Sequence, residues 1–205
     1  MTDDPTPTMR IVIAGAGSVA RALGANLAGL GHEVRYAVRT PDAADTVALA
    51  GAADGADLTI LAVPFDAVES VVRALARGGD AVLVDATNPF GRPLPDGVAS
   101  GAALVAAAAG PTVRVVKAFN VLGVEHMSDP PLDDGYRPLL PVAGDDERAR
   151  RMVADLATAM GFDAVEVGGL DGAGTLEEAA RYWGMLAYAG GRGRDVVLVA
   201  HQRRP

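Results

Sequence analysis

The stretch MRIVIAGAGSVARAL, from Met9 to Leu23, decides the fold. Its first half is a short apolar run rich in β-branched residues, which predicts a β-strand. Its second half begins an apolar repeat at helical spacing, which predicts an α-helix that stops at Gly31. Between them lies GAGSVA, residues 15–20, which matches the glycine fingerprint of dinucleotide-binding units. The stretch therefore predicts a strand, a tight turn and a helix that together bind a dinucleotide.

Each glycine of this fingerprint has its own physical task. Gly15 permits the tight turn, and Gly17 lets the backbone approach a pyrophosphate at the helix N-terminus, where free N–H groups and the helix dipole favour anions. Ala20 replaces the third glycine, which is a variant that the fingerprint allows. The alternative is a purely structural turn. The dinucleotide interpretation is favoured because the motif directly follows a strand and directly opens a helix.

Strands and helices alternate along the rest of the chain. The predicted strands are residues 9–15, 32–38, 57–63, 81–86, 113–119, 138–144 and 163–168, and the predicted helices are residues 18–30, 43–50, 66–75, 100–109, 146–160 and 175–189. Pro141 marks residues 138–144 as an edge strand, because proline cannot donate to a central ladder. Apolar strands that alternate with helices predict an α/β fold, a doubly wound parallel sheet of the Rossmann type with both faces covered.

Length and composition limit the other possibilities. The chain has 205 residues, and we expect a disordered tail over residues 1–8, a Rossmann domain over residues 9–144 and a small C-terminal helical cap over residues 145–205 packed on it. Cysteine is absent, which excludes disulfides and thiolate metal sites. The net charge of −8 opposes general nucleic-acid binding, and no apolar run predicts a membrane span or a signal peptide. A soluble cytoplasmic protein is expected.

The end of the second predicted strand indicates which dinucleotide binds. A carboxylate at this place holds the ribose 2′-OH of NAD, whereas an NADP site leaves the carboxylate out and supplies an arginine for the 2′-phosphate. No acid lies between Val34 and Pro41, and Arg39 offers a planar fork suited to phosphate. Thr40 can add a hydroxyl. A solvated surface arginine is the alternative, but the missing acid independently favours NADP.

Other candidate residues lie where ligands of such a sheet bind, beyond the carboxyl ends of the strands. Val63 and Pro64 follow the third strand and are candidates for cofactor contacts. Asn88 and Asn120 could orient a ring carbonyl or a carboxamide by hydrogen bonding, although turn-forming roles explain them equally well.

Three of the four phenylalanines also stand at strand ends. They are Phe65, Phe90 and Phe119, and they would place flat apolar groups near the nicotinamide. Packing beneath the loops explains them equally well, since aromatic side chains serve both uses. Tyr182 and Trp183 on the last predicted helix present the same two alternatives, with core packing favoured.

The whole chain resembles the NADP oxidoreductases that use the deazaflavin coenzyme F-420 (F420), and the membrane ferric reductases of the STEAP type carry a similar domain. The resemblance runs through IVIAGAGSVARAL, LAVPFDAV, VDATNPFG, VVKAFN, PVAGDDERARRMVADL and ARYWGMLAYAGGRGRD. It implies that NADP lies along the glycine turn, that Arg39 takes the 2′-phosphate and that Ala118 lies on the nicotinamide side. The turn contacts would fall on Ala16, Gly17, Ser18 and Val19. Val38 stands where the family has serine, a departure that implies a weaker hold on the phosphate.

The resemblance implies hydride transfer between NADP(H) and F420 or a flavin such as FMN. The sequence shows no acid–base pair or metal cluster, Lys117 is given no catalytic role, and hydride transfer between stacked rings depends mainly on proximity. Arg192 and Arg194 are candidate anchors for the acidic tail of F420, with a solvated loop as the alternative. A non-catalytic NADP-binding regulator and an NADPH-dependent reductase of a flavin, a ferric chelate or an imine stay open. An imine reductase would be expected to carry a longer C-terminal helical domain, and residues 145–205 offer a small cap and room for a homodimer interface.

Overall fold

The opening stretch folds as a strand, a turn and a helix in the computed structural model, which describes residues 7–75, 81–133 and 135–203. The strands are β1 Arg10–Ala14, β2 Glu33–Val38, β3 Thr46–Ala48, β4 Leu58–Leu61, β5 Val82–Asp85, β6 Arg114–Lys117, β7 Leu139–Gly144 and β8 Asp163–Gly168. The helices are α1 Ser18–Gly29, α2 Val68–Ala74, α3 Gly101–Ala109, α4 Glu147–Ala159 and α5 Ala173–Gly184. Most of the predicted disordered tail, residues 1–6, lies outside the described residues.

The eight strands form one sheet in the order β3-β2-β1-β4-β5-β6-β7-β8. Neighbouring strands are parallel except β6 and β7, which pair antiparallel. The strand order reverses between β1 and β4, and a crevice opens at the carboxyl ends of the strands at such a point. The predicted doubly wound α/β fold is confirmed.

The core consists of two apolar layers, one on each face of the sheet. Side chains alternate along β1, so Ile11 and Ile13 enter one layer while Val12 and Ala14 enter the other. All four are buried. Because both faces of the sheet are covered, the inner strands are apolar along their whole length. These continuous apolar runs are what predicts the strands from the sequence.

The helix predicted over residues 43–50 is wrong, because this segment contains the short strand β3. β3 pairs in parallel with β2. The Thr46 hydroxyl accepts hydrogen bonds from the backbone N–H groups of Asp42 and Ala43, both at 3.1 Å. Such side-chain bonds offer the backbone an alternative to a helix, and they hold a turn that leads directly into the strand.

The prediction that residues 138–144 form an edge strand is also wrong, because β7 has a strand on each side. Its pairing with β6 covers only Ala143 and Gly144, whereas Pro141 lies beyond that short ladder and pairs with Val165 of β8. On the β6 side of this end, the backbone N–H of Leu139 donates to the carbonyl of Leu198 at 2.8 Å. Proline is tolerated in β7 because the β6 ladder stops before it.

The C-terminal part continues the same sheet through α4 and β8. The predicted domain division after residue 144 coincides with the end of β7, and it stays a prediction. The last predicted helix, residues 175–189, is α5 followed by a single π-helical turn, Met185–Ala189. Among the described residues, no helix is both long and apolar enough to cross a membrane.

Candidate functional site

A cleft of about 960 Å³ lies at the carboxyl edge of the sheet. Its walls come from the loops after four of the parallel strands and from the end of α5. They include residues 17–19 after β1, 62–65 after β4, 86–88 and 90–91 after β5, 119–120 after β6, and 183–185 and 188–189 near the end of α5. The loops that the sequence predicts to bind the ligand all contribute to the cleft wall, except the loop after β2.

The start of α1 forms one end of the cleft. Gly17 is the N-cap residue, it has no side-chain cap, and the first turn of α1 contains no acidic residue. A Cβ atom on Gly17 would meet no heavy atom within 4 Å. The first N–H groups of α1 therefore face open space, which suits the binding of a phosphate group.

Gly15 allows two neighbouring loops to touch. Its φ of +109° lies in the left-handed region, and a Cβ atom there would stand 2.4 Å from the carbonyl oxygen of Ala62. The Gly15 N–H also donates to the carbonyl of Ala37 in β2 at 2.9 Å. Gly15 therefore sets the spacing between β1, β2 and the loop after β4, although neither it nor Ala16 lines the cleft.

Arg39 and Thr40 follow β2 directly and are exposed. They lie outside the cleft lining, next in sequence to the strand that Gly15 contacts. Among the described residues, the structure shows no ion pair and no hydrogen bond for the Arg39 side chain. The Asp45 carboxylate is bound at 2.5 Å by Arg21, whose pKa is raised by this hydrogen bond. The guanidinium of Arg39 is therefore available to an anion beside the glycine turn.

The three phenylalanines at strand ends all line the cleft, but their surroundings differ. Phe119 is buried and packs edge-to-face on Phe162 with ring centroids 5.9 Å apart, Phe65 is half-buried, and Phe90 is 63% exposed. Phe119 and Phe90 have φ values of 61° and 41°, and among the described residues they alone are non-glycine residues with positive φ. Backbone strain of this kind concentrates at functional sites.

The two predicted asparagines bind each other across the cleft wall. Asn88 Nδ2 donates to the backbone carbonyl of Asn120 at 2.8 Å, and Asn120 Nδ2 donates to Asn88 Oδ1 at 3.0 Å and to the carbonyl of Leu176 in α5 at 3.0 Å. Asn120 Oδ1 is buried and has no hydrogen-bond partner among the described residues. The pair fixes the loops after β5 and β6 relative to each other.

Lys117 lies below this wall and is fully buried. Its ammonium donates to Asp85 Oδ2 at 2.9 Å and to the carbonyl of Thr87 at 2.5 Å, and it lies 3.3 Å from Glu177 Oε1. Two of the three N–H donors of the ammonium are used in these hydrogen bonds, and the Glu177 carboxylate is a further ion-pair partner. Lys117 does not line the cleft, and its lack of a catalytic role stays a prediction.

For the outer wall of the cleft, the sequence offers Trp183 and Arg194 as candidates and misses Met185 and Tyr188. Trp183, Met185 and Tyr188 line it, and the Trp183 indole N–H donates to the carbonyl of Val196 at 2.6 Å. Trp183 is thus both packed in place and part of the cleft, whereas Tyr182 is exposed and does not line it. The aromatic pattern RYWGMLAY is the signal that could have indicated this wall.

Two arginines complete the outer wall, Arg181 and Arg194. Arg194 pairs with Glu125 at 2.6 Å, and Arg181 pairs with Glu178 at 3.1 Å. Burial acts to raise the pKa of Glu125, but the Arg194 hydrogen bond and charge lower it below its ordinary value. The other predicted anchor, Arg192, does not line the cleft, and the predicted nicotinamide contact Ala118 is fully buried in the core.

The N-terminal half of this site matches a known family. Residues 10–89 match the family described as NADP oxidoreductase, coenzyme F420-dependent. The predicted resemblance to this family is confirmed. The matched residues contain β1, the glycine turn, β2, the loop after β4 and the start of the loop after β5.

Longer matches extend over most of the chain. The chain is 29% identical over 185 residues to metalloreductase STEAP3 from Rattus norvegicus. The aligned region covers 86% of this chain and 37% of that protein, so the chain spans little more than a third of the length of that relative. A crystal structure from Arthrobacter sp. FB24, described as an F420-dependent NADP-reductase, is 26% identical with a TM-score of 0.80 over 91% of this chain and 96% of that one. The hypothetical protein SMa0349 from Sinorhizobium meliloti is 29% identical with a TM-score of 0.70, over 82% of this chain and 88% of that one.

These matches show that the chain is similar to NADP oxidoreductases, and they agree with its Rossmann-type fold. An imine reductase from Aspergillus terreus, 18% identical with a TM-score of 0.67 over 91% of this chain and 64% of that one, shares the fold alone. None of these matches identifies a hydride acceptor for this chain.

Proposed function

We propose that this protein transfers a hydride between NADP(H) and the deazaflavin F420, with FMN as a slower acceptor. The observation that carries the proposal is the chemistry of the cleft. Its described lining contains no Asp, Glu, His, Lys or Cys, its charged residues are Arg181 and Arg194 at the outer wall, and its one tyrosine, Tyr188, accepts a hydrogen bond from Arg194 at 3.3 Å. A carbonyl or imine reductase generally needs a positioned proton donor, whereas hydride transfer between two rings needs proximity and orientation.

The residues at the inner end fit NADP(H). The uncapped start of α1 at Gly17 would receive the pyrophosphate, because its N–H groups are free and no side chain fills the space. Arg39 and Thr40 would receive the 2′-phosphate beside the glycine turn. Val63, Pro64 and Asn88 would border the nicotinamide half. When bound, NADPH supplies a hydride, that is, two electrons and one proton.

The outer half of the cleft offers an apolar surface for a second flat ring. Phe65, Phe90 and Trp183 provide aromatic surface, and they would exclude water from the space between two stacked rings. The reacting atoms must approach to about 3–3.5 Å, so the demand on the protein is alignment. The cleft volume of about 960 Å³ is at the upper end of the range of roughly 300–1,000 Å³ for small-molecule sites, which favours two ring systems over one.

Arg181 and Arg194 would contact the anionic tail of the acceptor. Both already pair with carboxylates at the protein surface, at 3.1 Å and 2.6 Å, so they would exchange those partners for the ligand. Exposed ion pairs of this kind contribute little to stability, so exchanging them for contacts with the ligand loses little.

A direct test mixes the protein with NADPH and oxidised F420 and follows the absorbance of both. We expect the two signals to fall together in equal molar amounts, and NADH in place of NADPH to react more slowly. If NADPH binds tightly but neither signal falls, the proposal of F420 as acceptor fails. If no other acceptor oxidises NADPH either, the protein is a non-catalytic NADP-binding regulator.

A second candidate is the reduction of a flavin or a ferric chelate. The identity with metalloreductase STEAP3 over 86% of the chain favours it. FMN, FAD, a ferric chelate and a cyclic imine are therefore assayed under the same conditions. An acceptor that reacts faster than F420 would replace it in the proposal.

A further inference from the structure

The buried cluster of Lys117, Asp85 and Glu177 joins four elements beneath the cleft. Asp85 ends β5, Lys117 ends β6, and Glu177 lies on α5. Glu177 also accepts hydrogen bonds from the first two N–H groups of α3, at 3.0 and 3.1 Å. The side chains of Lys117 and Asp85 are 0% exposed and that of Glu177 is 7% exposed. One ammonium and two carboxylates are thus held in the interior by hydrogen bonds and ion pairs.

The cluster reaches the cleft through one residue, Thr87. Its carbonyl accepts from Lys117 at 2.5 Å, while its N–H and its hydroxyl both donate to Asp85 Oδ1, at 2.9 and 2.7 Å. Thr87 and the next residue, Asn88, both line the cleft. The three polar groups of Thr87 therefore fix the position of this wall.

Stability alone does not explain such a cluster. Burying charges costs solvation free energy, and well-packed apolar residues of similar volume are often at least as stable as a buried ion cluster. A buried cluster does fix one arrangement of its surroundings, because each member has a single set of partners. The position of the Thr87–Asn88 wall is what this arrangement determines at the cleft.

We propose that Lys117 is a positioning residue for the nicotinamide half of NADP(H). It acts through Thr87 and Asn88, and through Glu177 it links the position of α5 to the same wall. This inference rests on the NADP(H) binding in the proposed function and is independent of the hydride acceptor.

A second contact couples the cluster to the aromatic side of the cleft. A Cβ atom on Gly101 would stand 2.8 Å from the ring of Phe65 and 3.0 Å from Glu177 Oε1. Phe65 and Glu177 therefore both pack against the same glycine at the start of α3. A displacement of Glu177 would move this packing as well as the Thr87–Asn88 wall.

The test compares two ligands that share the adenosine half. NADPH contains the nicotinamide, whereas 2′-phospho-ADP-ribose keeps the 2′-phosphate and the pyrophosphate but lacks it. Their dissociation constants are measured by calorimetry for wild type, Lys117→Met and Glu177→Gln. Glu177→Gln is included because it keeps the side-chain volume, lies outside the cleft lining and is the better tolerated change if Lys117→Met does not fold.

We expect both variants to weaken NADPH binding, Lys117→Met by at least tenfold and Glu177→Gln by at least threefold, with the fragment within twofold of wild type. Asp146→Ala is the matched control, since it removes the N-cap bond to Ala149 of α4 and lowers Tm but does not touch the cleft. Equal losses for both ligands, or no loss for Glu177→Gln, would overturn the positioning role. A wild type that binds NADPH but does not reduce F420 would overturn the acceptor alone.

Discussion

Replacing Gly17 by valine should abolish cofactor binding while leaving the fold intact. Gly17 has φ −73° and ψ −176°, which any residue adopts, and a Cβ atom there would meet no heavy atom within 4 Å. Glycine is only a moderate N-cap residue, so the change costs about 1 kcal/mol of folding free energy. In the bound state the valine side chain would occupy the space of the pyrophosphate. Each lost hydrogen bond to a charged group costs about 1.5–3 kcal/mol, which is roughly a ten- to hundredfold loss of affinity per bond.

Gly15→Ala is the matched change with the opposite outcome. Its φ of +109° costs a side-chain-bearing residue about 1–3 kcal/mol, and the 2.4 Å contact with the Ala62 carbonyl adds overpacking of about 1–3 kcal/mol. The sum, about 2–6 kcal/mol, is a large share of the roughly 5–15 kcal/mol by which a typical domain is stable. Gly15→Ala should therefore lower Tm strongly, whereas Gly17→Val should not.

Thermal unfolding and calorimetric titration with NADPH and NADH distinguish the two changes. Gly17→Val should keep a cooperative transition near that of wild type and show no measurable heat with either nucleotide. Wild-type affinity for NADPH in Gly17→Val would show that the pyrophosphate does not lie at the start of α1. Unfolding of Gly17→Val to the same degree as Gly15→Ala would show that the open space at Gly17 is not there.

Three further predictions concern single side chains. Arg39→Ala should weaken NADPH binding by about 1.5–3 kcal/mol and NADH binding little, measured by calorimetry; equal losses would remove Arg39 from the 2′-phosphate site. The backbone N–H of Met9 donates to His32 Nδ1 at 3.2 Å, and burial lowers the pKa of His32, so the unfolded chain binds the proton more readily. The contribution of neutral His32 to stability is present above about pH 6.5 and is lost as the pH falls. Tm should therefore decrease less on acidification in His32→Gln than in wild type. An equal decrease in both proteins would contradict this role of His32. Phe90→Gly should raise Tm, because it removes backbone strain of about 1 kcal/mol at a positive φ, while the side chain that is lost is 63% exposed. The same change should slow hydride transfer. A faster reaction in Phe90→Gly would exclude this ring from the acceptor site.

The short-range features of the site could be predicted from the sequence, because their causes lie within a few residues. Gly15 and Gly17 are required by one turn, and the loops at the carboxyl edge follow from the strand–helix alternation. Long-range features could not be predicted. The partners of Lys117 are residues 85 and 177, and only the order of the strands and the return of α5 bring them together.

The wrong predictions for residues 43–50 and 138–144 also result from contacts with other segments of the chain. Residues 43–50 have a weak helical pattern, and the hydrogen bonds of the Thr46 hydroxyl together with pairing to β2 outweigh it. Pro141 correctly indicates a missing ladder bond, but the sequence cannot show that the β6 ladder stops at Ala143. In both segments, the neighbour supplied by the tertiary fold decides the outcome.

The single tryptophan of the chain lies in the outer wall of the cleft, where its indole is held in place by the Val196 carbonyl. Tryptophan emits light in the region where reduced nicotinamide absorbs, so Trp183 is a native fluorescent donor beside the binding site. Its quenching by energy transfer would report occupancy by NADPH in real time, without a label. Because the chain has no other tryptophan, the change in tryptophan fluorescence would come from Trp183 alone and would measure binding of the reduced cofactor.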